Sequence, residues 1–252
     1  MTQTAIRTER QSLLQNQVAV VTGAARGVGE AVARALARMG ATVVLTARDA
    51  ARLQKVRTDI EQQDAGRAVA IPCELTDPQA VASLGERVRS EFGRCDILVN
   101  NAGIGAPGKP LIDLTVDEWD LVMDTNLRAP FLMIRALVPM MIAARSGHVI
   151  NISSLAGKNA LPNGAAYASS KWGLNGLTYS LAEELRQYNV RAAVIAPGSV
   201  DTSFGGGKAP GQGKDRSKMV QPADVAAVVA SLVTQAPNSF ISEVLLRPTM
   251  KP

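Results

Sequence analysis

The stretch Val18-Ala-Val-Val-Thr22-Gly23-Ala-Ala-Arg26-Gly27-Val28-Gly29 decides the fold. Its first five residues are apolar or β-branched and read as a buried strand. The glycines that follow form a turn, after which Val28, Val32, Leu36 and Met39 recur as one face of a helix. A strand, a glycine turn and an amphipathic helix make half of a dinucleotide-binding unit, with the helix N-terminus facing a pyrophosphate. Glycine is needed there because a Cβ would block the tight turn or the approach of phosphate oxygens. The spacing is Gly-x-x-x-Gly-x-Gly, not the commoner Gly-x-Gly-x-x-Gly.

Outward from this unit, strands and helices alternate. Strands are expected at 18–22, 42–46, 68–73, 96–100, 148–152, 190–195 and 243–247, and helices at 53–63, 78–92, 116–144, 165–188 and 222–234. Such alternation implies right-handed βαβ crossovers: an α/β, Rossmann-type doubly wound sheet, mostly parallel, with helices on both faces. One domain is expected over 1–252, with 1–16 as an N-terminal extension. The Gly- and Lys-rich segment 203–218 reads as a loop covering substrate.

A second constellation lies in SSLAGKNALPNGAAYASSK, where Ser154 precedes Tyr167 by thirteen residues and Lys171 follows by four. Tyr167 and Lys171 share a helix face, and Ser154 ends a β-branched strand. A hydroxyl, a phenol and an ammonium can then surround one reacting carbonyl.

With these residues in view, the chain resembles the short-chain dehydrogenase/reductase family. The resemblance rests on Thr22-Gly23-x-x-x-Gly27-x-Gly29, Asn100-Asn101-Ala102-Gly103, Asn126, Ser154, Tyr167-x-x-x-Lys171 and Pro197-Gly198-x-x-x-Thr202, in the family's order and spacing. It implies seven strands in the order 3-2-1-4-5-6-7. It further implies that Asn101, Ala102 and Gly103 line the adenosine ribose and that Glu74 and Leu75 read the adenine. Pro197, Gly198, Val200 and Thr202 would wall the nicotinamide, Lys171 would bond its ribose, and Asn126 would hold a water relaying protons to Lys171.

The cofactor can be argued physically. An acid about 20 positions past the glycine turn would accept the ribose hydroxyls of NAD. The second strand instead ends Thr46-Ala47-Arg48. Arg48, with Arg26 in the glycine turn, can pair with a 2′-phosphate, so NADP(H) is expected over NAD(H). Asp49 is better placed as a helix N-cap.

The expected chemistry is hydride transfer coupled to proton transfer. Tyr167 is the general acid/base, its phenol expected to be pulled below its usual ~10 by the Lys171 ammonium. Ser154 would hold the carbonyl oxygen.

Composition sets bounds. Among 252 residues, 46% apolar, no apolar run approaches the ~18 a membrane span needs, and the charged N-terminus is unlike a signal peptide. A cytoplasmic setting is expected. The +5 net charge is scattered along helices, without a nucleic-acid tract. Cys73 and Cys95 read as buried free thiols and His148 as structural, so no metal is expected.

For substrate, the segment 158–163 with Leu161 and Pro162, together with Phe204, is expected to form an apolar pocket without a charged clamp. In texture the chain is nearest to 3-oxoacyl-thioester reductases within the family. Ser242-Glu-Val-Leu-Leu-Arg-Pro-Thr249 departs from that subgroup's Asp-Gly-Gly turn, which keeps a general carbonyl or alcohol oxidoreductase open. A non-enzymatic NADP(H)-binding redox sensor is the reading of another class. Against it, such a protein could lose Tyr167 or Lys171 without penalty, and both are retained. The long helices 116–144 and 165–188 suggest a homotetramer or homodimer, as the family commonly forms.

Overall fold

Val18 and Val20 of strand β1 (Val18–Thr22) face one side of a sheet, Ala19 and Val21 the other, and both sides are buried. A strand covered on both faces must be apolar throughout, which is why the sequence runs without alternation. The computed structural model describes residues 13–64, 66–106, 108–204 and 215–250. The remainder of the expected extension and residues 205–214 of the expected loop lie outside the described residues.

The seven strands are β1, β2 (Thr42–Thr46), β3 (Arg67–Ala70), β4 (Ile97–Asn100), β5 (Gly147–Ile152), β6 (Val190–Pro197) and β7 (Glu243–Leu246). They stand in the order β3-β2-β1-β4-β5-β6-β7, and every pairing is parallel. Strand order reverses between β1 and β4, so the crevice at their carboxyl ends is where this architecture takes ligands.

On one face pack helices α1 (Gly27–Arg38), α2 (Ala50–Gln63) and α7 (Pro222–Val233), through residues such as Leu36, Leu53 and Val229. On the other lie α3 (Pro78–Phe92), α5 (Ala129–Ala144) and α6 (Ala165–Leu185), through Val88, Leu137 and Leu181. Helix α4 (Val116–Met123) leads towards α5.

Leu14, within the expected N-terminal extension, is fully buried against the first core layer, and its N–H donates to the Met39 carbonyl at 2.9 Å. Two local readings need correction. Strand β3 ends at Ala70, short of the expected Cys73, although the Ile71 N–H still donates to the Leu45 carbonyl of β2 and the Cys73 N–H to the Ala47 carbonyl just beyond it.

The expected helix 116–144 is interrupted by a π-turn, Asp124–Arg128, which places Asn126 inward with no exposed surface. By length and composition the run Val116–Ala144 could cross a bilayer. Here it is a flank of the sheet, with Met133, Leu137 and Met141 of α5 fully buried.

Candidate active site

The glycine turn leaves β1 with left-handed backbone at Gly23 (φ +63°) and Gly27 (φ +60°), a conformation that side-chained residues rarely adopt. Gly29 serves close packing instead. A Cβ there would stand 2.3 Å from the Gly23 carbonyl oxygen and 2.5 Å from Asn101 Nδ2. Asn101 straps the turn to β4: its Nδ2 donates to the Thr22 carbonyl at 2.9 Å, and its N–H donates to Thr22 Oγ1 at 2.9 Å.

Helix α1 starts after Arg26 without a side-chain cap, whereas Asp49, Asp77 and Thr115 cap the starts of α2, α3 and α4. Its first N–H groups are therefore left for an anion at the turn.

This turn opens on a cleft of about 740 Å³. The cleft is lined by Gly23, Arg26, Gly27 and Val28 of the turn, and by Arg48 after β2. Glu74 and Leu75 after β3 and Asn101, Ala102 and Gly103 after β4 extend the lining. Ser154, Tyr167 and Lys171, with Pro197, Gly198, Val200 and Thr202, complete it. Of the residues expected at the cofactor, only Gly29 lies outside this lining, behind the turn it packs.

Within the cleft, Ser154 and Tyr167 line the same wall, and Ser154 is near enough to the phenol to pull its pKa down. Lys171 Nζ lies 5.9 Å from the centre of the Tyr167 ring and donates to the Ile152 carbonyl at 2.9 Å. Burial pushes the Lys171 ammonium down to about 8. Burial also raises the Tyr167 phenol above its usual value, with the Ser154 contact pulling the other way. The expected lowering of the phenol beside Lys171 is not what is found: burial of the phenolate raises it, and the group that pulls it down is Ser154.

Asn126 is held from several sides. Its Oδ1 accepts from the Ile104 N–H at 2.8 Å, and its Nδ2 donates to the Ile104 carbonyl at 3.0 Å and to Ser170 Oγ at 3.1 Å. It stands behind the cleft wall, against Gly103, where an added Cβ would meet its Oδ1 at 3.1 Å and Lys171 Nζ at 3.8 Å.

At the adenosine end, Arg48 Nη1 lies 3.9 Å from Glu74 Oε2, both side chains largely exposed. Glu74 Oε1 accepts from the Thr76 hydroxyl at 2.9 Å. Asp49 caps α2, accepting from the Arg52 N–H at 3.0 Å. Arg52, one turn on from Arg48, also lines the cleft and went unnoticed in the sequence, where it reads as a solvated helix residue.

Apolar lining comes from Ile104, Leu121, Phe204 and Met219, and the Phe204 ring lies tilted against Tyr167, their centres 6.1 Å apart. Leu161 and Pro162 do not line it; Leu161 folds back on Gly164. Cys73 and Cys95 are buried free thiols, as expected. Cys73 reaches the cleft wall, and burial pushes its thiol up to about 11, far from the reactive range. Among the described residues no group of three or more His, Cys, Asp or Glu is gathered.

The sequence profile of the short chain dehydrogenases matches residues 17–212. The chain belongs to the short-chain dehydrogenase/reductase family. It is 34% identical over 237 residues to an uncharacterized oxidoreductase of Staphylococcus aureus (strain MW2), covering 94% of this chain and 99% of that one.

Among solved short-chain dehydrogenase/reductase structures, it is similar to a metagenomic short-chain oxidoreductase in complex with NADP. Identity is 51% and the TM-score 0.84, over 95% of this chain and 100% of that one. An alcohol dehydrogenase from the archaeon Thermococcus sibiricus, complexed with 5-hydroxy-NADP, shares 31% identity and a TM-score of 0.86. That match covers 94% of this chain and 98% of the other. This protein is accordingly an oxidoreductase of the short-chain dehydrogenase/reductase family, and its fold is the family's parallel Rossmann-type sheet.

Proposed function

We propose that this oxidoreductase transfers a hydride between NADP(H) and a neutral carbonyl or secondary alcohol, with Tyr167 as the proton donor or acceptor. The observation that carries the reading is one cleft holding arginines at one end and Ser154, Tyr167 and Lys171 together at the other.

The cofactor fits the residues present. The uncapped start of α1 and the turn around Gly23 and Gly27 suit a pyrophosphate, and Asn101, Ala102 and Gly103 suit the ribose. Arg26 and Arg48 would pair with a 2′-phosphate, for which no competing acid stands at the β2 tip. Glu74 and Leu75 would border the adenine, and Pro197, Gly198, Val200 and Thr202 would wall the nicotinamide. The NADP and 5-hydroxy-NADP of the two similar structures support the same choice.

When bound, the nicotinamide supplies or accepts the hydride. On reduction, Tyr167 gives its proton to the carbonyl oxygen as negative charge develops there, and Ser154 donates a hydrogen bond to that oxygen. A phenol raised by burial is protonated at neutral pH, as a donor must be. The Lys171 ammonium stabilises the phenolate left behind, would also bond the nicotinamide ribose, and Asn126 would hold a water leading to Lys171.

Phe204, Ile104, Leu121 and Met219 favour an apolar substrate; apart from Lys171 beside Tyr167, the charged lining residues Arg26, Arg48, Asp49, Arg52 and Glu74 belong to the adenosine end. A 3-oxoacyl thioester is our first choice of substrate. A general carbonyl or alcohol oxidoreductase is the second reading, favoured by the likeness to a protein described as an alcohol dehydrogenase.

Oligomerisation belongs to the same reading. Phe131, Trp172 and Tyr179 are exposed on α5 and α6, and Met123, Leu127, Phe131 and Leu177 border a shallow apolar groove. A homotetramer or homodimer would cover that face, and light scattering showing a monomer would remove this part. Two reduced, buried thiols support a cytoplasmic setting.

The deciding experiment is NADPH oxidation against an acetoacetyl thioester, small ketones and aldehydes, a sugar and a steroid, with NADH run beside each. Thioester turnover with NADPH preferred supports the first choice, and turnover only elsewhere moves the assignment to the second. Equal use of NADH would remove the arginine argument.

A further inference from the structure

Tyr167, Lys171, Asn175 and Tyr179 stand four residues apart and form one stripe along α6. The segment from Ile152 to Lys158 is fastened to that stripe at each step. Lys171 Nζ donates to the Ile152 carbonyl at 2.9 Å, and Ser153 Oγ donates to the Lys171 carbonyl at 3.4 Å. Ser154 and Tyr167 line the same cleft, with Ser154 near enough to act on the phenol. Asn175 Nδ2 donates to the Gly157 carbonyl at 2.9 Å. Lys158 Nζ donates to the Tyr179 hydroxyl, and that hydroxyl donates to Glu243 Oε1 of β7 at 2.8 Å. Lys158 and Glu243 are themselves paired at 2.8 Å.

We propose that Asn175 and the Lys158–Tyr179–Glu243 cluster are positioning residues that set the register of the Ser154 turn against α6. They thereby fix the contact between the Ser154 hydroxyl and the Tyr167 phenol. The inference rests on the roles given above to Ser154 and Tyr167, and adds residues that no motif singles out. Lys158, expected at a substrate pocket, acts instead on the far side of the turn.

Several features support this assignment. Ser154 caps a 3₁₀ turn (Leu155–Gly157), its Oγ accepting from the Ala156 N–H at 3.1 Å, so its single O–H is what remains to be aimed. Only two residues separate Ser154 from Gly157, so a shift at Gly157 is passed on rather than absorbed.

The seat at Gly157 is tight. An added Cβ would lie 2.8 Å from Asn175 Nδ2 and 2.9 Å from the Lys171 carbonyl oxygen. Asn175 is only 2% exposed, and its Oδ1 has no protein hydrogen-bond partner among the described residues. An amide kept at that desolvation cost serves its one donated bond better than it serves packing. The Lys158–Tyr179–Glu243 cluster is half-exposed and ties the end of the turn to the edge strand β7, the side opposite the cofactor turn in strand order.

The test uses Tyr167 as its own reporter. The chain has three tyrosines, so ¹³Cζ-tyrosine labelling gives three resonances, and Tyr167→Phe identifies one of them. Ser154→Ala should move the Tyr167 resonance. Asn175→Ala, Gly157→Ala and Tyr179→Phe should move it in the same direction, and none should move it further once Ser154 is alanine. With the best carbonyl of the panel, each should lower kcat roughly tenfold while the NADPH dissociation constant stays within about twofold.

Shifts that add to that of Ser154→Ala, or a resonance unmoved by all three variants, would overturn the positioning role alone. A resonance unmoved by Ser154→Ala itself would instead sink the Ser154–Tyr167 contact beneath both readings. Tyr179→Phe and Lys158→Met act at the surface, so they decide the matter even if the two buried variants fail to fold.

Discussion

Lys171 Nζ donates to the Ile152 carbonyl at 2.9 Å, so the last residue of β5 holds the ammonium beneath the Tyr167 ring. Desolvation brings this buried lysine down to about 8, which still leaves it charged near neutrality. Above that value the lysine is neutral and no longer stabilises a phenolate. We therefore expect kcat for carbonyl reduction to be level below pH 7 and to fall as pH rises through about 8. Lys171→Arg, charged at every accessible pH, should be slower but should lack this limb in a pH–rate profile.

Arg48 reaches the adenosine end with only a long 3.9 Å pairing to Glu74, between exposed groups, to hold it elsewhere. It is therefore available to a 2′-phosphate. Arg48→Ala should raise the KM for NADPH about tenfold, the equivalent of roughly 1.4 kcal/mol, with the KM for NADH changed less than about twofold. Equal effects on both cofactors in steady-state kinetics would assign Arg48 to general binding instead.

Gly29 admits no side chain, since its Cβ would overlap the Gly23 carbonyl and the Asn101 amide. Gly29→Ala should cost about 1–3 kcal/mol through displacement of the turn, lowering Tm by several degrees and weakening NADPH binding in parallel. Calorimetry with and without NADPH separates the two losses.

His148 is the sole histidine, and burial, helped by Arg191 and opposed by Asp96, pushes it down to about 4. Between the unfolded value near 6.5 and that depressed value the unfolded chain binds the extra proton. Stability contributed by this residue is thus complete above about pH 6.5 and is lost as pH falls towards 4, on the order of 3 kcal/mol. His148→Gln should flatten that part of a stability–pH curve measured by urea denaturation.

Much of this was legible in the sequence because the deciding features are local. The strand–glycine–helix unit at 18–39 and the four-residue spacing of Tyr167 and Lys171 translate directly into geometry. What was not legible depends on distant partners. The π-turn around Asn126 keeps a helical apolar period, and what marks it is the pairing of that amide with Ile104, twenty-two residues away. Arg52 and Asn175 match ordinary helix positions, and only the meeting of elements at the cleft gives them neighbours. The rise of the Tyr167 phenol follows from burial, which the spacing of a tyrosine and a lysine does not encode.

The central claim is that Tyr167 moves the proton in a cleft that binds NADP(H) independently of it. Tyr167→Phe tests it most directly: NADPH affinity by fluorescence titration, and turnover with the best carbonyl of the panel. In this variant the NADPH dissociation constant should stay within about twofold of that of the parent protein, and kcat should fall by at least about 10²-fold. Turnover close to that of the parent protein would contradict it.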